Sequence, residues 1–307
     1  MYILIAQNGF FMSKNILYYT LLNITVLIWG FTGVLGKEIS LPADKIVFFR
    51  TGIAFISLLI FSFFYSVKQK LTPNQKLRLL FTGVIVGSHW YLFFYAIKIS
   101  NVSIAVICMS SSALFTAILE PLLFKKKPVL SEFILGLIII AGMVLIIGFE
   151  PHYLAGILIG LLAAFLASLF SVLNARHVQK MPSISITKIE MLGGFLTLFI
   201  ILLINGSVDS KIVLIGWENW GYLLFLGIIC TTIAFLISVW LMKYLSPFTV
   251  SMGLNMEPIY AILIVLAIDY YRGEKGEIMS VGFYIGTIII ILSIFANGYQ
   301  KMKKRKN

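Results

Sequence analysis

The sequence has 307 residues, of which 60% are hydrophobic and only 12% are charged. A soluble domain carries about 25% charged and about 45–50% apolar residues, so this composition excludes a water-soluble fold. The formal net charge is +12, which in a soluble protein can indicate binding to nucleic acid. Here the basic residues lie between long apolar runs, so the charge is better explained by orientation in a lipid bilayer, and we expect no nucleic-acid partner.

Ten apolar windows follow one another along the chain. A helix needs about 20 mainly apolar residues to cross a bilayer, and each window comes close to that length. The continuous runs also exclude a β-barrel, whose strands alternate between apolar and polar residues. The predicted fold is therefore an all-α integral membrane protein with ten transmembrane helices. The windows are residues 17–36, 47–67, 77–97, 102–124, 133–149, 154–174, 186–205, 220–242, 248–268 and 279–297.

The basic residues are distributed unevenly between the two sides of these windows. Of the 24 Lys and Arg residues, 17 lie on one side: at Lys14, in the connections after the second, fourth, sixth and eighth windows, and in the C-terminal tail. The other 7 lie on the opposite side. Cytoplasmic loops carry the excess of Lys and Arg. The pattern predicts a multi-pass protein of the inner (plasma) membrane with both termini in the cytoplasm, which requires an even number of crossings.

The chain also resembles itself. Residues 83–105 read GVIVGSHWYLFFYAIKISNVSIA, and residues 227–250 read GIICTTIAFLISVWLMKYLSPFTV. This repeat offset of about 145 residues divides the chain into two five-helix halves, 14–150 and 151–300, followed by a basic cytoplasmic tail, 301–307. Because five is odd, the halves must insert in opposite orientations, and the charge bias of equivalent loops reverses as this requires. Inverted repeats are typical of secondary transporters.

Several stretches resemble a known family. They are LIWGFTGVLGK at 27–37, FFRTGIAFISLLI at 48–60, YAIKISNVSIA at 95–105, and Glu257-Pro258. In order and spacing they resemble the drug/metabolite transporter superfamily, specifically its EamA type with ten helices and two repeats. The chain departs from the pattern at Lys125-Lys126-Lys127-Pro128, where the family often has an acidic residue. The resemblance implies export or exchange of small metabolites, often amino acids, driven by gradients.

Two ionisable residues lie near the middle of predicted spans. His89 is about twelve residues into its window and Glu257 about ten, and a charge at such depth costs about 2.5–3.5 kcal/mol on insertion scales. Such groups are candidates for substrate binding and for proton coupling, His89 because it titrates near neutrality and Glu257 because Pro258 breaks its helix. The alternative is that each makes only a structural hydrogen bond between helices.

Other side chains are weaker candidates for a substrate site. Aromatic side chains can enclose a substrate, but in membrane helices they also pack or mark interfaces. Arg50 lies just inside its window, and we expect it to extend to the outer interface; a clamp for a carboxylate is the alternative. The remaining candidates for substrate binding are Trp90, Tyr95, Trp29, Trp240 and Asn255.

The glycine pairs and the cysteines are predicted to have structural roles. Two cysteines, Cys108 and Cys230, fall inside apolar windows and predict neither a disulfide nor a metal site. Three pairs with small-xxx-small spacing predict close helix packing, within the bundle or across a homodimer, so the protein is expected to be a monomer or homodimer. These pairs are Gly83/Gly87, Gly156/Gly160 and Gly282/Gly286.

The first twelve residues are too short to span a membrane and lack the features of a signal peptide, so we expect translation to start at Met1 or Met12.

The leading hypothesis is a secondary active transporter, an exporter or exchanger of small organic metabolites such as amino acids, which works by alternating access. The alternatives are an intramembrane enzyme or a membrane protein that does not transport, such as a receptor or channel. The sequence contains no HExxH, no GxSxG and no Walker A motif, so we predict no catalytic residues, no metal and no cofactor. A transporter predicts a polar cavity between the halves, reached by His89 and Glu257.

Overall fold

The computed structural model describes residues 14–64, 69–208, 212–273 and 280–306. Within these ranges the chain is helical and contains no β-strand, as predicted. The apolar N-terminal segment and several of the charged residues counted above lie outside the described residues. These charged residues are Lys68, Lys211 and Lys275.

The first half contains six α-helices. Two of them begin at side-chain caps: Thr72 accepts a hydrogen bond from Gln75 N at the start of α3, and Asn101 accepts one from Ile104 N at the start of α4. Such caps satisfy backbone N–H groups that have no partner within the helix. The helices are α1 (Lys14–Glu38), α2 (Ala43–Phe64), α3 (Pro73–Ile99), α4 (Val102–Met109), α5 (Ser112–Phe124) and α6 (Leu130–Phe149).

The second half begins with the 3₁₀ turn Pro151–Tyr153 and contains a π-helical segment, Leu226–Ile233. Its last helix continues through the basic residues predicted to form a separate tail, so residues 301–306 are helical. The α-helices are α7 (Leu154–His177), α8 (Ser183–Ile204), α9 (Trp217–Phe225), α10 (Ala234–Leu241), α11 (Pro247–Leu254), α12 (Glu257–Arg272) and α13 (Val281–Lys306).

Eight helical segments of the described chain are long and apolar enough to cross a membrane. Two shorter apolar helices, Leu130–Ile146 and Val281–Ser293, overlap the predicted fifth and tenth windows. An all-helical, multi-pass membrane architecture is therefore confirmed, whereas the count of ten crossings stays a prediction. The eight are Asn15–Glu38, Ala43–Phe64, Pro73–Ile99, Val102–Phe124, Pro151–His177, Ser183–Ile204, Trp217–Leu241 and Pro247–Arg272.

Two of these segments are interrupted at equivalent positions. The helix breaks at Ser110 and Ser111 between α4 and α5, and at Asn255 and Met256 between α11 and α12. The breaks are related by the repeat offset, and so are the capping residues Asn101 and Ser246 that begin the two segments. Interrupted helices at corresponding positions of two halves are the feature that marks substrate sites in many transporters.

The packing between the halves is reciprocal. Helix α1 packs on α12 of the other half. In the same way α7, the counterpart of α1, packs on α4 and α5 of the first half. Helix α3 packs on α8 as its counterpart, the π-helical segment, packs on α2. The interrupted segments cross each other, since α4 contacts α12 and α5 contacts α11, and α6 pairs with α13. These main contacts between the halves are therefore kept when the two halves are exchanged.

Glycines allow the closest of these contacts. A Cβ on Gly87 would lie 2.8 Å from Cα of Gly194, so α3 and α8 meet backbone to backbone. Likewise a Cβ on Gly156 would lie 2.6 Å from Cβ of Ser100, and one on Gly286 would lie 2.7 Å from the Gly142 carbonyl oxygen. All three predicted small-residue pairs thus make close contacts inside the bundle. This confirms the interpretation that they serve helix packing within the bundle.

Candidate functional site

A cavity of about 50 Å³, lined mainly by buried side chains, lies between the two halves. A water needs about 10–15 Å³ by such a measure, so the space holds only a few waters. Both halves contribute at equivalent positions: Trp90 and Phe235, Phe93 and Ser238, and Met109 and Leu254 are pairs related by the repeat offset. The lining is Trp29, Thr32, Arg50, His89, Trp90, Phe93, Met109, Ala167, Phe170, Ser171, Phe235, Ser238, Leu254 and Glu257.

Arg50 is the main cation of this cavity. Its side chain is only 1% exposed, so the prediction that it extends to the outer interface is wrong. The guanidinium carbon lies 4.0 Å from the centroid of the Trp90 ring and 5.7 Å from that of Phe94, a geometry that favours the cation electrostatically. Its terminal NH1 nitrogen has no hydrogen-bond partner among the described residues.

The π-helical segment positions Arg50. Thr231 Oγ1 accepts a hydrogen bond from Arg50 Nε at 2.6 Å and donates one to the Leu226 carbonyl at 2.7 Å, five residues earlier. Thr232 Oγ1 donates to the Gly227 carbonyl in the same way, at 2.9 Å. π-Helical segments often occur at functional sites. Thr231 and Thr232 follow Gly227 by four and five residues in the sequence, but this spacing alone does not predict the hydrogen bond between Thr231 and Arg50.

Glu257 supplies the opposite charge. It is the first residue of α12, where the helix dipole stabilises a carboxylate, and it is 7% exposed. Pro258 follows at a position where the missing N–H costs no hydrogen bond. The predicted helix break therefore occurs directly before Glu257. Among the described residues no ion pair joins Glu257 to Arg50, although both line the cavity.

His89 lies on α3 beside the same cavity and is 6% exposed. Its Nδ1 is 2.8 Å from the Ala163 carbonyl oxygen on α7. Because a carbonyl only accepts, Nδ1 must carry the proton, and Nε2 of the neutral ring keeps its lone pair. The ring also lies against Phe170, with centroids 5.4 Å apart. The hydrogen bond between helices that was predicted as the alternative role of His89 is therefore present. It uses Nδ1 and leaves Nε2 able to accept a proton or a hydrogen bond.

Two of the predicted aromatic residues also line the cavity. Trp29 Nε1 donates to the Cys230 carbonyl of the π-helical segment at 2.9 Å, which fixes the indole across the boundary between the halves. Trp90 meets Phe235 edge to face, with centroids 5.6 Å apart. Together with His89 and Glu257, four of the seven predicted binding residues are therefore brought together.

The other three predicted residues are placed elsewhere. Tyr95 is 39% exposed and stacks on Tyr91, because the two rings project from one face of α3 away from the cavity. Trp240 packs edge to face on Tyr244, with centroids 4.9 Å apart. Asn255 lies at the break before α12, 1% exposed, and donates to the Met252 sulfur at 3.7 Å. None of the three lines the cavity.

Within the described residues no group of three or more His, Cys, Asp or Glu side chains could hold a metal ion. The two cysteines are free and buried. The functional groups that line the cavity are thus one guanidinium, one carboxyl, one imidazole, the hydroxyls of Thr32, Ser171 and Ser238, and aromatic walls. This set can hold opposite charges of a small ligand, with little space around it.

Comparison with known proteins identifies the family. The model of the EamA-like transporter family matches residues 16–148 and again residues 154–299. The chain belongs to this family. It is 22% identical over 246 residues to the uncharacterized transporter YdfC of Bacillus subtilis, covering 76% of this chain and 77% of that protein. It is 26% identical over 253 residues to an uncharacterized transporter of Clostridium kluyveri, covering 77% and 76%.

The fold is shared with a solved structure. One crystal structure superimposes with a TM-score of 0.64 over 90% of this chain and 94% of the other, at 16% identity. At that identity the likeness concerns the fold alone. The duplicated family match agrees with the internal repeat, and the resemblance to EamA-type transporters is confirmed.

Proposed function

We propose that this EamA-family protein is a secondary active transporter, an exporter or exchanger of small zwitterionic metabolites such as amino acids. One observation carries the proposal: Arg50 and Glu257, of opposite charge, line one buried cavity between the halves. The proposed arrangement has ten helices in two inverted repeats, 14–150 and 151–300, in the plasma membrane, with both termini and the tail 301–307 in the cytoplasm.

The two charges suit the two ends of an amino acid. A guanidinium binds a carboxylate through two parallel N–H groups, and Arg50 NH1 has no other partner in the described chain. A carboxylate such as Glu257 binds an ammonium group. Buried charges are costly unless paired, so a ligand that pairs with both would be stabilised inside the bundle. The aromatic walls formed by Trp29 and Trp90 would enclose the rest of the ligand.

Alternating access accounts for a small cavity. Two similar halves rock about a central ligand, and the space between them is small where they lie close together. At one end, Arg272 NH1 lies 3.0 and 2.9 Å from the two carboxylate oxygens of Glu38, and Lys37 lies 3.4 Å from Asp269. We propose that these ion pairs between α1 and α12 close one side. Proton movement is assigned to His89 and Glu257.

The test is counterflow into proteoliposomes with ligands of defined charge. The panel contains amino acids, their methyl esters, which lack the carboxylate, and the matching acids that lack the amine. We expect exchange only of the zwitterions. Arg50→Gln and Glu257→Gln should each abolish it, because each leaves one end of the ligand and one buried group unpaired.

Control variants remove exposed charges without touching the cavity. Glu218→Gln and Lys127→Gln should exchange at the rate of the unmodified protein, since both side chains are exposed. Exchange of esters or deaminated acids as fast as zwitterions would contradict the proposed substrate class. No exchange of any solute under any gradient would contradict transport and favour the enzyme or non-transporting alternative.

A further inference from the structure

A second, larger groove lies at one end of the bundle. It has a volume of about 870 Å³ and forms where α3 begins and α7 ends. The two connecting segments meet beside it, since Gln69 Nε2 donates to the Lys180 carbonyl at 3.0 Å. The ends of membrane-crossing helices lie at the bilayer surface. The groove is lined by Gln75, Leu77, Arg78, Phe81, Thr82, Leu173, Arg176, His177, Lys180 and Met181.

The rim of this groove is basic and unneutralised. Arg78, Arg176 and Lys180 are exposed, and the lining contains no acidic residue. In the ranges that the structure describes, none of the three forms an ion pair. His177, which lies beside them, is within 3.3 Å of Thr82 Oγ1 through Nε2. Three like charges at one groove repel each other, so an anion there would relieve the repulsion.

The walls of the groove are apolar and face outward. Leu77 is 67% exposed and Phe81 is 64% exposed, and both lie on the first turns of α3 next to Arg78. In a helix that crosses the membrane, side chains so exposed contact acyl chains. A basic rim above an apolar wall matches a molecule with an anionic head and a hydrocarbon tail, and it offers nothing to the tail of a soluble anion.

We propose that this groove binds the phosphate headgroup of an anionic phospholipid. Arginine pairs with phosphate oxygens through two parallel hydrogen bonds, and Arg78 and Arg176 supply such groups from α3 and α7. Basic pockets between membrane helices bind anionic headgroups in the same way. Helix α3 carries His89 and α7 carries Phe170, so a lipid in the groove would join, at the membrane surface, two helices that line the substrate cavity.

The test is native mass spectrometry of the full-length protein in detergent, titrated with phosphatidylglycerol or with phosphatidylcholine. We expect one tightly bound phosphatidylglycerol and no retained phosphatidylcholine. The triple variant R78Q/R176Q/K180Q should bind phosphatidylglycerol at least about tenfold more weakly. The matched control K125Q/K127Q/K243Q removes three exposed charges elsewhere and should bind as the unmodified protein does.

Further arms separate this site from general surface charge. R78K/R176K keeps the charge and should retain most of the binding, while R78Q and R176Q singly should each weaken it, which covers failure of the triple variant to fold. Inorganic phosphate in millimolar excess should not displace the lipid. Displacement by phosphate, equal retention of phosphatidylcholine, or equal loss in the control triple variant would overturn the proposal. Counterflow is not the readout, so failure of the transport proposal would leave this result unchanged.

Discussion

Arg50 is held in the cavity by its Nε, which leaves part of the guanidinium for a ligand. The hydrogen bond to Thr231 is 2.6 Å long, and Thr231 is itself fixed by the carbonyl of Leu226. A guanidinium on a long side chain has many rotamers, and without this contact it must be ordered by the ligand at an entropic cost. Thr231 therefore acts as a positioning residue for Arg50.

Replacing Thr231 by valine tests this role. A hydrogen bond to a charged group contributes about 1.5–3 kcal/mol, so Thr231→Val should weaken substrate binding about 10- to 100-fold in proteoliposome counterflow. The matched control is Thr232→Val, because within the described chain Thr232 Oγ1 bonds the Gly227 carbonyl of the same segment and not Arg50. An equal effect of the two valines would mean that the π-helical segment matters but the contact with Arg50 does not.

His89 allows its two nitrogens to be tested separately. Asparagine can keep an N–H directed at the Ala163 carbonyl but has no counterpart of Nε2. His89→Asn should therefore fold normally and exchange substrate without a gradient, yet lose the stimulation of transport by a pH gradient. Parallel uptake with and without the pH gradient measures this. A stimulation equal to that of the unmodified protein would assign proton coupling to another group.

At the scale of helices, the two interrupted segments explain how apolar helices present polar groups. The sequence motif Glu257-Pro258 predicted one break correctly, because proline is accommodated at a helix start. The similar pair Glu120-Pro121 does not mark the other break: Pro121 lies inside α5, and the chain breaks earlier, at Ser110 and Ser111. Glu120 instead accepts a hydrogen bond from Phe248 N at 3.1 Å, at the start of α11.

The contact between α3 and α8 gives a prediction for stability. A Cβ on Gly83 would lie 2.8 Å from Cα of Glu190 and 2.9 Å from Cα of Gly193, and backbone cannot yield as a flexible side chain does. Overpacking costs about 1–3 kcal/mol, more than the gain of up to about 1 kcal/mol from replacing a helix glycine by alanine. Gly83→Ala should therefore lower the thermal unfolding temperature in detergent.

The control for Gly83→Ala is Gly148→Ala. Nothing lies within 4 Å of a Cβ at Gly148, which is likewise within a helix. This variant should unfold at the same or a slightly higher temperature. Equal destabilisation by both alanines would show that the cost comes from the helix and not from the contact between α3 and α8.

At the scale of the whole molecule, the ion pairs Glu38–Arg272 and Lys37–Asp269 both join α1 to α12. Among the described residues, the ion pairs between the halves lie at this end, whereas Gln69 and Lys188 join the halves elsewhere by hydrogen bonds to the Lys180 carbonyl and to Ser62 Oγ. If the halves rock, breaking these two ion pairs should open the cavity at the end of the bundle where α1 ends, at Glu38.

Charge reversal tests this gate. Partly exposed ion pairs contribute about 0.2–1 kcal/mol, so Glu38→Arg should raise the labelling rate of a Thr32→Cys reporter about two- to fivefold. The measurement uses a chain in which Cys108 and Cys230 are replaced by alanine. The swapped variant Glu38→Arg with Arg272→Glu should restore the slow rate. If the swap labels as fast as the single variant, charge pairing does not hold this end closed.

The sequence by itself determined the membrane class, the position of the windows, the internal repeat and the family, because these depend on composition and order along the chain. It also predicted His89 and Glu257 by their depth, and Trp29 and Trp90 as aromatic candidates, and all four line the cavity. Only the tertiary structure decided which way each side chain faces. Helices that are apolar all round have no polar stripe to reveal their orientation. The close approach of α2 to Gly227 and the contact with Thr231 turn Arg50 inward, while Tyr95, Trp240 and Asn255 lie off the cavity.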